Sequence, residues 1–198
     1  METLSNLTSL ARLKIYRCGE DLRCEGLLPL LTRGHLSKLE VEGSPNFFGA
    51  WDPMWGIQDE QDKKTESKLQ YLETDDMEGF LGAPALCSLL SSSLTELSFD
   101  ANREMVGFTK EQEEAFHHLT SLQKLRFWRC DKLQHLPAGL NKLQHLKRLG
   151  IWRCPALRSL PKDGLPSSLR ELDVNGCGNG ELTEHCKRLM GTIPEITL

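Results

Sequence analysis

Two nonapeptides decide the reading of this chain: Leu122-Gln-Lys-Leu-Arg-Phe-Trp-Arg-Cys130 and Leu146-Lys-Arg-Leu-Gly-Ile-Trp-Arg-Cys154. Their central leucines, Leu125 and Leu149, stand 24 residues apart. In each, the step from Leu125 to Phe127, or from Leu149 to Ile151, has the period of two that puts alternate side chains on one face of a strand. Lys124, Arg126 and Trp128 then fall on the opposite face, as do Arg148 and Trp152 of the second copy. One face is apolar and the other basic and aromatic, so each nonapeptide reads as a half-buried strand followed by a turn at its cysteine.

The pattern extends in both directions. It fits Leu10, Leu13, Ile15, Cys18; Leu36, Leu39, Val41, Ser44; Leu69, Leu72, Thr74, Met77; Leu94, Leu97, Phe99, Asn102; and Leu169, Leu172, Val174, Cys177. The central positions 13, 39, 72, 97, 125, 149 and 172 are separated by 26, 33, 25, 28, 24 and 23 residues. Only the 33-residue gap leaves the span of a leucine-rich repeat. Ser44 and Met77 replace the usual Cys or Asn, which marks the second and third copies as the irregular ones. The composition agrees: 36 Leu against 5 Ile and 3 Val is far from an ordinary β-branched sheet. With 16 Gly and 9 Pro, a long coiled coil is excluded as well. A single repeat cannot bury its own leucines, so neighbours stack on a shared core. The expected fold is one domain over 1–198, a right-handed α/β solenoid. It is a leucine-rich-repeat horseshoe with a parallel concave sheet of about seven strands, roughly 29 Å across, and an irregular or short-helical convex side.

Between the strands, Leu133-Gln-His-Leu136-Pro137 and Leu157-Arg-Ser-Leu160-Pro161 are the same return segment twice. Thr109-Lys-Glu-Gln112 is a capping box opening a short helix, with Glu111, Glu113 and Glu114 at its positive end and Phe116 and Leu119 toward the core. Residues 45–67 form an insertion with Phe47, Phe48, Trp51, Met54 and Trp55 followed by the polar run Gln58–Ser67; it reads as a tacked-down loop. Residues 181–198 form a C-terminal cap, with an amphipathic helix over Glu181–Met190 (Leu182, Cys186, Leu189) stopped by Gly191 and Pro194. No comparable cap precedes the first repeat, so the chain reads as the C-terminal piece of something longer.

A further set of residues carries a family resemblance. It comprises Glu111-Gln-Glu-Glu-Ala-Phe-His-His-Leu-Thr-Ser-Leu-Gln-Lys-Leu125, Leu136-Pro-Ala-Gly-Leu140, Leu160-Pro-Lys-Asp-Gly-Leu-Pro-Ser-Ser-Leu-Arg-Glu-Leu172, Leu182-Thr-Glu-His-Cys-Lys-Arg-Leu189 and Ile193-Pro-Glu-Ile196. Over nearly its whole length, and most strongly from about residue 94 onward, the chain resembles the C-terminal leucine-rich-repeat region of plant intracellular nucleotide-binding immune receptors, especially cereal coiled-coil types. The resemblance implies a cytoplasmic protein-binding module of plant defence. Its partner would be a pathogen effector, a guarded host protein or the receptor's own nucleotide-binding domain, which it would hold off; a stand-alone adaptor is a further alternative. The phosphate loop G-x-x-x-x-G-K-[S/T] is nowhere in the chain, so the family's nucleotide switch cannot be assigned to it.

Candidate site residues follow from the strand direction. The outward positions run Arg12, Lys14, Tyr16, Arg17; Lys38, Glu40, Glu42; Tyr71, Glu73, Asp75, Asp76; Glu96, Ser98, Asp100; Lys124, Arg126, Trp128, Arg129; Arg148, Trp152, Arg153; and Glu171, Asp173. The concave face thus alternates basic, acidic, basic-aromatic and acidic. The fifth and sixth copies supply the candidate protein-binding surface: Lys124, Arg126, Trp128, Arg129, Arg148, Trp152 and Arg153. Equivalent residues on adjacent strands are roughly 4.8 Å apart, so the two indoles can stack and the arginines Arg129 and Arg153 can lie on them. Tryptophan and arginine are the residue types that dominate binding hot spots. A structural ladder produced by repeat duplication is the competing reading.

Other functions find little support. A net charge of −4, from 24 Lys plus Arg against 28 Asp plus Glu, is a poor footprint for nucleic acid. No apolar run approaches the roughly 18–20 residues of a membrane span, and Met1–Leu10 lacks the features of a secretory signal. Seven cysteines then read as reduced thiols, with Cys18, Cys130, Cys154 and Cys177 buried at the turn position. The acidic run Glu73, Asp75, Asp76, Glu78 reads as solvated charge. His117-His118 and His185-Cys186 lack spaced metal partners, and His135 aligns with Ser159 of the next copy, so no metal, cofactor or catalytic residue is expected. Asn6-Leu-Thr8 is a glycosylation sequon and Gly191-Thr-Ile-Pro194 echoes an extracellular repeat motif, but neither outweighs the lack of a signal peptide.

Overall fold

The computed structural model describes residues 7, 9–24, 26–32, 35–49, 51, 67–178 and 180–198. The sequon residues Asn6 and Thr8, the insertion residues Met54 and Trp55, and the polar run up to residue 66 lie outside them. The strands are β1 (Arg12–Tyr16), β2 (Lys38–Glu42), β3 (Tyr71–Thr74), β4 (Glu96–Asp100), β5 (Lys124–Trp128), β6 (Arg148–Trp152), β7 (Glu171–Asn175) and β8 (Glu195–Thr197). They form one open, all-parallel sheet in sequential order, each strand pairing with the next. The returns carry the short helices α1 (Leu27–Thr32), α2 (Met77–Leu81), α3 (Pro84–Leu89), α4 (Lys110–His117) and α5 (Gly180–Arg188), plus a 3-10 turn over Ala138–Lys142. The arrangement is solenoid-like α/β, and the buried residues of helices α1–α5 join the inward rows of the sheet in one core.

The strand register aligns the repeats read from the sequence. Leu13, Leu39, Leu72, Leu97, Leu125, Leu149, Leu172 and Ile196 lie side by side across the sheet. Ile15, Val41, Thr74, Phe99, Phe127, Ile151 and Val174 form the next row. From β2 to β7 both rows are buried, whereas Leu13 and Ile15 on the edge strand β1 are only partly covered. Each fully buried leucine is worth roughly 1.5–3 kcal/mol, so these rows are the main stabilising feature. A chain of aromatic contacts runs from the insertion into the second row, Phe47–Phe48–Phe80–Phe99–Phe127, with Phe108 bridging Phe127 and Phe116. Phe47 and Phe48 fix the start of the 45–67 insertion to the core, which makes it a tacked-down segment at that end.

Two expectations are corrected here. Among the described residues the sheet has eight strands rather than about seven, because the C-terminal segment continues past α5 into β8. Ile196 takes the place of the repeat leucine beside Leu172; a three-residue strand holds too little of the L-x-x-L-x-L pattern to register as a copy. Cys18 is exposed, because its turn lies at the open edge, while Cys130, Cys154 and Cys177 are buried as expected. Each of those three thiols donates to a carbonyl of the preceding strand: Cys130 to Phe99, Cys154 to Phe127 and Cys177 to Ile151, at 3.5–3.9 Å. Asn102 holds the same turn in the β4 repeat, with its amide donating to the Asp75 carbonyl (2.9 Å) and its oxygen accepting from the Met105 amide (2.9 Å).

Candidate functional site

The outward side chains make three rows set by the pairing of neighbouring strands. The first row is Arg12, Lys38, Tyr71, Glu96, Lys124, Arg148, Glu171, and the second Lys14, Glu40, Glu73, Ser98, Arg126, Gly150, Asp173. In the third, Asp100, Trp128, Trp152 and Asn175 lie side by side on β4–β7. All seven candidate residues therefore lie on the open face or at its turn edge, on the adjacent strands β5 and β6, and their surroundings separate them into three kinds.

Lys124 and Arg148 are spoken for. Lys124 Nζ contacts Glu96 at 2.6 Å and Arg148 Nε contacts Glu171 at 2.8 Å, each a cross-strand pair in the first row. Half-exposed pairs of this kind are worth about 0–1 kcal/mol; they position charge more than they stabilise.

The tryptophans do not stack face to face, contrary to expectation. Their ring centroids are 6.3 Å apart and the planes cross at 81°, an edge-to-face contact. Gly150 is the physical reason. A Cβ at that position would come 2.9 Å from the Trp152 ring, so the indole lies across a gap that only glycine leaves. Trp152 is thereby half-buried, whereas Trp128 is 42 % exposed. Arg126 covers Trp152 with its guanidinium carbon 5.8 Å from the ring centroid, within cation–π range. The sequence reading missed Gly150, although its signal is visible: it breaks a row otherwise filled mostly by long or charged side chains.

Arg129 and Arg153 also depart from expectation, because neither lies over an indole among the described residues, where Arg126 takes that place. Both instead adopt left-handed backbone, at φ 54° each. Their amides donate to the Trp152 and Asn175 carbonyls at 2.9 and 2.8 Å, extending the ladder one residue past the strand ends. Both side chains are exposed, and among the described residues neither takes part in an ion pair.

The acidic stretch beside this surface is part structural. Asp76 is buried, not outward: one carboxylate oxygen accepts from the Phe48 amide, the other from Gly79 (2.9 Å), capping α2 and tying it to the insertion. Burial pushes its carboxyl up to about 6 against the pull of those two amides. Ser98 is buried as well. Asp75 and Asp100 are each pushed up, by burial first; Glu42 adds to both and Glu73 to Asp100, while Arg129 pulls Asp100 the other way. Burial and the adjacent Glu73 likewise raise the Tyr71 hydroxyl.

The remaining titratable groups are buried or scattered. Cys154 is pushed up to about 12, first by its hydrogen-bonded neighbour Cys130 and also by burial, and burial raises Cys87 to about 12; these are poor nucleophiles. His135 and Ser159 meet in a parallel bridge between successive returns. Burial lowers His117, whose Nε2 lacks a hydrogen-bond partner. Among the described residues, no group of three His, Cys, Asp or Glu side chains is arranged to hold a metal, and no helix is long and apolar enough to cross a membrane. A cleft of about 420 Å³ lies between the insertion and α2, lined by Pro45, Phe48, Trp51, Asp76, Glu78 and Ala83 among others. No family model and no curated protein matches the chain.

Proposed function

We propose that the chain is a leucine-rich-repeat recognition module of the type found at the C-terminal end of plant intracellular nucleotide-binding immune receptors. It works by binding a protein, an effector or a guarded host factor, and not by catalysis. What supports the repeat assignment is the coincidence of each copy of the sequence pattern with one strand of the sheet. What supports binding is one observation: β5 and β6 hold an exposed Trp128, a guanidinium-covered Trp152 and two exposed arginines, Arg129 and Arg153, that make no ion pair among the described residues, on a sheet whose opposite face is packed. Rigid aromatic and arginine groups of this kind are where interface energy concentrates. A cytoplasmic setting accords with seven free cysteines, six of them buried.

The test is titration of the folded chain with candidate effectors and guarded host proteins, and separately with a nucleotide-binding domain of the same receptor type. Trp128→Ala is the informative variant, since Trp128 is the exposed indole. A partner lost by roughly 30-fold in that variant, a penalty of about 2 kcal/mol, supports the reading. Binding confined to the nucleotide-binding domain makes the surface a regulatory dock instead. A partner bound equally by both forms removes β5 and β6 from the interface.

A further inference from the structure

The left-handed arginines need an explanation that the fold does not supply. The residue after Tyr16, Glu42, Asp100, Trp128, Trp152 and Asn175 occupies the same place in its repeat, and Gly43, Ala101 and Gly176 serve there without a long side chain. A non-glycine residue in this conformation costs free energy, so arginine at two consecutive positions stands against backbone preference. Arg17, the third arginine of this kind, is engaged: its guanidinium carbon sits 4.9 Å from the centre of the Tyr16 ring. Arg129 and Arg153 have no such partner among the described residues. They stand on hydrogen-bonded neighbouring strands, with backbones roughly 4.8 Å apart, beside the exposed Trp128.

From this placement we infer that the β5–β6 edge reads an extended acidic segment of a partner protein. Arg129 and Arg153 receive its carboxylates and Trp128 receives a flanking apolar or aromatic side chain. The inference rests on the proposed recognition role and names the chemistry of its partner. Guanidinium groups offer paired donors that match carboxylate geometry. Alternate side chains of an extended segment project on one side about every 6.7 Å, a spacing two long arginine side chains can span. The neighbouring cations Lys124 and Arg148 pair with Glu96 and Glu171, and Arg126 lies over the Trp152 ring, which leaves Arg129 and Arg153 as the cations of this edge with neither an ion pair nor a ring partner among the described residues. Acidic residues on β2–β4 and Asp173 on β7 flank the site and disfavour acidic contacts elsewhere on the face, while Asp100, beside Trp128 in register, attracts Arg129 and leaves Arg153 the freer of the two arginines.

The experiment is selection of a random twelve-residue peptide display library on the intact chain, followed by titration of the enriched peptides. Enrichment of two Asp or Glu residues next to an aromatic or Leu is expected. Their affinity should fall roughly tenfold for each of Arg129→Gly and Arg153→Gly, and stay unchanged in Arg17→Gly. Glycine suits the left-handed backbone, so these variants keep or raise their thermal midpoint and isolate the side chain. Selected peptides without acidic residues, or acidic peptides indifferent to both substitutions, overturn the inference. So does equal, arginine-dependent competition by a twelve-nucleotide oligothymidine, which would make the site a general polyanion surface. Peptides that lose affinity in Trp128→Ala but not in the arginine variants leave the recognition role standing and remove only the acidic segment. Peptides that depend on none of the three, or a selection that returns none, remove both.

Discussion

At the end of four strands a residue other than glycine takes a positive φ: Arg17 (50°), Ala101 (56°), Arg129 (54°) and Arg153 (54°). Left-handed backbone costs an L-residue about 1–2 kcal/mol, and glycine relieves that cost while adding freedom to the unfolded chain worth about 0.5–1 kcal/mol. Arg153→Gly should therefore leave stability unchanged or raise it by up to about 1.5 kcal/mol in urea unfolding. Gly43→Ala runs the other way. At φ 72°, its new Cβ would also stand 2.9 Å from the Arg17 Cα, and the expected loss is about 1–2 kcal/mol. If Arg153→Gly cost as much, the guanidinium would be a structural prop and not a free recognition group. Asp100 makes a second residue-level test. Burial and then Glu73 and Glu42 push its carboxyl up, so the folded protein holds that proton more tightly than the unfolded chain. Its contribution is full below the unfolded value near ~3.9 and is lost as pH rises through the higher folded value. Asp100→Asn should raise the thermal midpoint at pH 7 by about 2 °C, with no gain near pH 3.5. A gain independent of pH would point to packing instead of charge.

At the level of elements, capping separates what could be read from what could not. The box at α4 was legible because its partners are local: Thr109 Oγ1 accepts from the Gln112 amide at 3.3 Å and Gln112 Oε1 accepts from the Thr109 amide at 2.9 Å. The rows of leucine were legible for the same reason, a short fixed spacing. Asp76 was misread as outward because its role depends on Phe48, far along the chain and on the other side of the insertion. Glu113 was read only as a dipole partner, yet its carboxylate accepts from the Ala138 and Gly139 amides of the following return, at 2.7 and 3.1 Å. The candidate surface shows the same division: strand period placed Lys124, Arg126, Trp128, Arg148 and Trp152 together, while the exposure of Arg129 and Arg153 depends on left-handed backbone past the strand ends, and ring geometry and ion pairing hung on neighbours from other repeats. These differences set unequal mutational costs. Thr109→Ala should cost about 1 kcal/mol, the value of an exposed cap. Asp76→Ala strands two backbone amides near a buried aromatic cluster, for about 2–4 kcal/mol. Comparable losses from both, measured by chemical denaturation, would mean that Asp76 does not tie the insertion to α2.

For the whole molecule, sequential pairing makes stability a sum over neighbouring repeats, because each strand touches only the strands before and after it. Interior repeats share two interfaces; β1, an edge strand, shares one. The consequence is visible in burial: Leu125 is wholly buried, while Leu13, its counterpart on β1, is only partly covered. Leu125→Ala should then cost about 2–5 kcal/mol, the range for a core leucine, and Leu13→Ala about 1 kcal/mol, since less apolar surface is lost. Opening of β1 breaks a single strand ladder and uncovers little core, so its amides should exchange with solvent through local fraying. Those of β4, β5 and β6 are flanked on both sides and should exchange only when several repeats open together. Native-state hydrogen exchange on the 1–198 chain measures this directly as a rising gradient of protection from β1 toward the centre. Uniform protection across β1 to β7, together with equal losses from Leu13→Ala and Leu125→Ala, would show instead that the sheet unfolds as one unit, with edge and centre coupled more strongly than nearest-neighbour packing allows.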